Sequence, residues 1–195
     1  MTPLILLLAV AEVPPEAPLA ALNHRLQSVE SLQGSFVRTD YLVLTMEADT
    51  TGGTFLLAPP NLFVLEFTDP RGRRIGYDGS RSYTVEPATS QVIIYEDRRP
   101  DSFLGTLRSY EDSTMVDSVQ VSGDSVQVWL EGAGSGVAAV RAGYTLSDSL
   151  PFLYATTDVN GNTITYRLEG VRAGGPPPEG AFGLEVPEGY AVARP

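Results

Sequence analysis

Near the start of the chain, apolar residues recur every three or four positions. Leu19, Leu22, Leu26, Val29 and Leu32 would share one face of a helix, with Asn23, Gln27 and Glu30 on the polar side. Pro18 suits its first position and Gly34 its end. Beyond Gly34 the period shortens to two. Ser35–Thr39, Tyr41–Met46, Gly53–Leu57, Leu62–Thr68, Arg74–Tyr77, Ser82–Val85 and Gln91–Tyr95 predict strands, with Asp78-Gly79 as a tight hairpin turn. Arg98–Asp112 breaks the alternation. There Phe103, Leu104, Leu107 and Tyr110 fit a short helix capped by Asp101 or Ser102. Strands resume over Ser113–Val121, Ser125–Leu130, Val137–Leu146, Phe152–Asp158 and Thr163–Glu169, with Asn160-Gly161 as a second hairpin turn. A Pro/Gly stretch, Gly174–Gly180, leads to a last short strand, Ala181–Val186. About ten strands around two or three helices suggest a sandwich or a barrel-like sheet.

The first residues carry a different signal. Leu4–Leu8 is a short apolar core, and Ala9-Val10-Ala11 is an A-x-A cleavage pattern before Glu12. Residues 1–11 are therefore expected to be an export signal, although Met1-Thr2-Pro3 has no basic side chain; the alternative is a buried N-terminal segment. Residues 12–17, proline-rich, read as a linker, and 18–195 as the mature domain. No apolar run is long enough for a helix to span a bilayer.

Composition narrows the chemistry. The 195 residues suit one domain, or two small ones. A formal net charge of −11 opposes binding to nucleic-acid backbones or anionic membranes. Cysteine is absent, which excludes disulfides, thiolate nucleophiles and zinc–thiolate sites. All 13 basic residues are arginine, which excludes Schiff-base and phosphate-loop lysines. The lone His24 has no partner cluster and reads as a surface residue. Gly132–Gly136 superficially resembles a phosphate loop, but a β-like segment follows, so a hairpin loop is expected. Asp97 and Asp101, flanking Arg98-Arg99, read as a solvated loop rather than an acid–base pair. Arg71, Arg73 and Arg74 form a basic turn, either a docking patch or a solvated one. Trp129 is expected in the sheet core. No catalytic residue, metal ligand or cofactor site is assigned.

Six short motifs in colinear order resemble the LolA family of periplasmic outer-membrane lipoprotein carriers. They are Gly53-Thr54 through Pro60-Asn61-Leu62-Phe63, then Asp69-Pro70 with Tyr77-Asp78-Gly79, and Val85-Glu86-Pro87 with Gln91-Val92. Asp101–Leu107 follows at the family's lid helix, then Asp158–Asn162 with Tyr166-Arg167-Leu168, and finally the close Ala181–Val192. The similarity runs over roughly residues 18 to 192; between Ser113 and Leu150 only the pattern matches. One departure concerns gating. The arginine that precedes the Pro-Asn dipeptide in proteobacterial members, and ties sheet to lid, is here Pro59, which cannot donate a hydrogen bond.

The resemblance implies a mainly β (α+β) fold: an incomplete, strongly curved antiparallel β-barrel with helices forming a lid over an apolar cavity. It implies a periplasmic carrier, not an enzyme, that takes acylated lipoproteins from an inner-membrane ABC lipoprotein-releasing complex towards the outer membrane, directly or through a receptor there. A monomer without cofactors is expected. Phe36, Phe55, Phe63, Leu65, Phe67, Tyr83 and Ile93 are the expected acyl-chain wall; Leu22, Leu26, Phe103, Leu104 and Leu107 are the expected lid. From the residues alone, the Phe63/Leu65/Phe67 face reads as ordinary core ahead of a ligand wall, and the resemblance reverses that order. Three rivals stay open: a lipid-binding envelope-stress sensor of the same fold, a small β-rich hydrolase, and a structural sandwich without a cavity.

Overall fold

The computed structural model describes residues 24, 28–59, 61–96, 116–134 and 136–195. Twelve strands form one sheet: β1 (Ser31–Leu42), β2 (Glu47–Ala58), β3 (Leu62–Phe67), β4 (Arg74–Tyr77), β5 (Arg81–Glu86), β6 (Gln91–Glu96), β7 (Val116–Ser122), β8 (Ser125–Gly134), β9 (Val137–Thr145), β10 (Pro151–Asp158), β11 (Thr163–Gly174) and β12 (Ala191–Ala193). Their order across the sheet is β12-β6-β5-β4-β3-β2-β1-β11-β10-β9-β8-β7. Two antiparallel meanders, β1–β6 and β7–β11, meet where β1 pairs with β11, and only β12 runs parallel to its neighbour, β6. The sheet is open: β12 and β7 are its edges, and it does not close into a barrel.

Register assigns every side chain to a face. Phe36 lies opposite Gly53, Gly53 opposite Phe67, and Phe63 opposite Tyr77. On the other flank Phe36 lies opposite Leu168, Tyr154 opposite both Tyr166 and Ala142, and Ala142 opposite Val128. Phe36, Phe63, Phe67, Tyr77, Tyr154, Ala142 and Val128 belong to one buried cluster, which also holds Val29, Leu32, Leu130, Val140 and Tyr144, with Tyr166 and Leu168 packed against it. A single cluster spanning β4 to β8 requires the sheet to curve around this face, which is its concave side.

Among the described residues, the outer face is covered over β2–β6. Phe182 packs against Ala58 and Val64, while Leu184 and Tyr190 pack against Tyr83, Val85, Val92 and Ile94. Residues 176–190 thus form a strap across the back of β2–β6. Polar contacts hold it: Arg74 Nη2 donates to the Ala181 carbonyl (2.8 Å), Arg74 Nη1 to the Gly183 carbonyl (3.2 Å), and the Tyr83 hydroxyl to the Phe182 carbonyl (3.0 Å).

Several expectations are corrected. Among the described residues only His24 and Ser28 are helical, besides one 3-10 turn at Pro87–Thr89, so a helical lid finds no support. Leu22, Leu26, Phe103, Leu104 and Leu107 lie outside the described residues, as do residues 1–23 and the Asp97/Asp101 loop. Ser31 and Leu32 belong to β1 rather than to a helix: Leu32 satisfies both the helical spacing and the alternation with Phe36. Tyr41–Met46 is strand only as far as Leu42, where β1 ends, and residues 43–46 turn into β2, with Met46 at φ 54°. Ala181–Val186 is irregular. Its Phe182 and Leu184 face the sheet, but the ladder position beside β6 goes to Ala191–Ala193, three exposed residues whose sequence does not alternate apolar with polar.

Candidate functional site

The concave face is built from the strand interiors. Phe36, Phe55, Phe63 and Phe67 are all buried there, and Leu65 is half-buried against the same cluster. Phe36 stands edge-on to Phe67 (centroids 5.2 Å) and to Tyr166 (5.8 Å). Gly53 makes that packing possible. A Cβ there would run into the Glu66 carbonyl and sit 2.8 Å from Phe36 Cζ. Ile93 shares the face but lies near the β12 edge, outside the cluster. Tyr83 departs from the expected wall. It is 1% exposed on the opposite face beneath the strap, because residue 83 is out of step with Ser82 and Thr84, which face inward.

One end of the aromatic face carries a polar rim. Arg38 pairs with Asp40 at 2.7 Å and lies over the Tyr166 ring at 5.7 Å. Arg73 lies over the Phe67 ring at 4.8 Å and pairs with Glu86 at 3.2 Å. Burial pushes the Tyr166 phenol above its ordinary range, against the pull of nearby Arg38. The hydroxyl of Tyr144 is buried without a hydrogen-bond partner, and burial drives its phenol far upward. Two rim arginines on a largely apolar face can hold a polar group beside a hydrocarbon one.

Sequence reasoning missed the roles of the arginines around β4. The basic turn is not a free patch: Arg73 and Arg74 are engaged with Glu86 and with Glu66 (3.6 Å) and the strap, leaving Arg71 exposed. Alternation along β3–β4 would have put Arg74 on the same face as Val64, but nothing in the sequence announced the strap. Trp129 is half-buried on the outer face opposite Arg141, not in the core. Gly134 pairs with Val137 in a β-hairpin, and His24 is exposed. A separate pocket of about 860 Å³ opens on the outer face between Pro176–Pro178 and β1–β3 and β11; of the expected wall it touches only Phe55. Among the described residues no cluster of three or more His, Asp or Glu could hold a metal, and no helix is long and apolar enough to cross a membrane.

Comparison with known proteins fits this geometry. The model of the family described as outer membrane lipoprotein carrier protein LolA matches residues 27–185. The chain belongs to the LolA family. The match reaches from just before β1 into the strap, so both faces of the sheet are LolA-family structure. Among solved structures, an uncharacterized conserved protein from Thermus thermophilus is similar at a TM-score of 0.57 and 12% identity, over 90% of this chain and 98% of that one. The Pseudomonas aeruginosa MucA/MucB complex is similar at 0.52 and 13%, over 88% of this chain and 61% of that one. A DUF1329 family protein from Desulfovibrio piger reaches 0.50 at 10%, over 86% and 95%. At these identities the likeness is one of fold. No curated protein matches the chain in sequence.

Proposed function

We propose that this LolA-family chain is a periplasmic carrier that receives the acyl chains of lipoproteins on its concave face and moves them from the inner towards the outer membrane. The observation that carries the reading is the continuous apolar concave face from β4 to β8, with Phe36, Phe55, Phe63 and Phe67 as its aromatic wall. Each CH₂ removed from water contributes about 0.8 kcal/mol, so a sixteen-carbon chain needs an apolar surface for some 12 kcal/mol of transfer. An open sheet suits repeated loading: its flanks can part without breaking the central β1–β2 and β1–β11 ladders. Arg38 and Arg73 stand where the polar end of an acylated molecule would emerge. No catalytic step belongs to this role. Its partners would be the inner-membrane ABC complex that releases lipoproteins and a receptor or lipid surface at the outer membrane.

Native mass spectrometry of the full chain purified from periplasm tests the reading. Co-purifying acylated peptide or lipoprotein, displaced by a fluorescent fatty-acid probe at a saturable site, is the expected result. A chain that arrives empty and binds no probe overturns it. A second reading, a lipid-binding sensor that contacts a partner protein, draws on the likeness to the MucA/MucB complex. It predicts the same probe binding, but a partner protein in place of lipoprotein cargo.

A further inference from the structure

The β1–β2 hairpin ends in exposed apolar residues. Leu44 is 95% exposed and Met46 79%, and Tyr41, Leu42 and Val43 are exposed as well. Scattered exposed apolar residues need no explanation, but a contiguous run at the apex of a long hairpin does. The apex is braced rather than loose: the Val43 amide donates to Asn162 Oδ1 (3.1 Å), and β1 and β2 stay in register down to Leu42 opposite Glu47. The β10–β11 turn beside it adds Val159, 70% exposed.

We propose that this tip inserts into the surface of an electrically neutral, zwitterionic lipid bilayer. Three observations select that occupant. The tip is convex, so it fits a yielding surface and offers no groove to a peptide. No arginine or lysine occurs from Thr39 to Pro70, while Glu47 and Asp49 stand at the neck, so anionic lipid would repel it. Leu44 lies two residues beyond the closing Leu42–Glu47 pair, at most about 7 Å further out. That matches the ~5–10 Å depth of interfacial segments and leaves Glu47 among the headgroups. The choice of lipid over protein also rests on the acyl-carrier reading. Along β1 and into the turn after it, Phe36 in the concave face, Arg38 and Asp40 at its rim, and Leu44 at the apex follow one another. Docking the tip therefore turns the rim of the acyl site towards the bilayer.

Co-sedimentation of the full chain with phosphatidylcholine vesicles, and with vesicles in which part of that lipid is replaced by phosphatidylglycerol, tests the proposal. The expected results are binding to the neutral vesicles, weaker binding to the anionic ones, and a loss of about tenfold or more in partitioning for Leu44→Ser/Met46→Ser. Both side chains are exposed, so the double variant should keep its melting temperature and its affinity for the fatty-acid probe. No binding to neutral vesicles, binding indifferent to the double substitution, or preference for anionic vesicles overturns the proposal. So does a wild-type dimer in size-exclusion chromatography that the substitutions dissociate, because the tip would then join two copies. Probe binding without vesicle binding sinks this inference and leaves the carrier reading standing. Vesicle binding without probe binding does the reverse.

Discussion

Tyr144 carries a cost that its neighbours Val126 and Val128 do not. Its side chain is fully buried in the concave cluster, yet its hydroxyl has no partner. Leaving a buried hydroxyl unsatisfied costs about 1–3 kcal/mol. Tyr144→Phe keeps the ring and removes the orphan, so thermal or urea unfolding should show a variant at least as stable as the parent, by up to about 1 kcal/mol. Asp78 is the opposite case. Burial pushes its carboxyl up, but hydrogen bonds from the Arg81 and Ser80 amides, the Ser80 hydroxyl and the Arg81 guanidinium outweigh that and hold it below the ordinary carboxylate range. A carboxyl lowered by folding stabilises the fold above its unfolded pKa, and that contribution disappears as pH falls through the folded one. Melting temperature measured from neutral to acid pH should therefore fall less steeply for Asp78→Asn, which starts lower at neutral pH. Identical acid limbs would refute the assignment.

Among elements, the strap depends on a few contacts. Arg74→Met keeps an apolar stem over Tyr83 but removes both donors to the Ala181 and Gly183 carbonyls. It should cost about 1.5–3 kcal/mol and raise amide exchange across residues 181–186, read by hydrogen–deuterium exchange, while the concave strands stay protected. Strands were legible wherever alternation ran between turn residues: β3, with Phe63, Leu65 and Phe67 inward, is read correctly from spacing alone. Reading failed where those cues were missing. Val43–Met46 turns without Gly, Pro, Asn or Asp, so it looked like more strand. Ala181–Val186 alternates like a strand but is held by a guanidinium and a phenol distant in sequence. Five of the seven expected wall residues reach one cluster because facing follows from parity. Tyr83 does not, because its aromatic character suggested a wall while parity put it under the strap.

For the whole molecule, the half-buried Leu65 distinguishes a concave face that only packs from one that holds acyl chains. If the face only packs, Leu65→Gln loses modest apolar burial and nothing else changes. If acyl chains lie against it, the amide is left without a partner under hydrocarbon, at about 1–3 kcal/mol. That weakens binding roughly ten- to a hundredfold. Fluorescent fatty-acid titration should show this for Leu65→Gln while circular dichroism and melting temperature stay near the parent's. Two companions map the site. Ile93→Gln, on the same face but outside the cluster, should change affinity little, and Tyr83→Phe, on the outer face, should leave affinity intact while loosening the strap. Equal loss at all three positions would mean that affinity follows overall stability. An effect confined to Leu65 would locate the hydrocarbon between β2 and β4, against the aromatic pair Phe36 and Phe67 that Gly53 allows to close up.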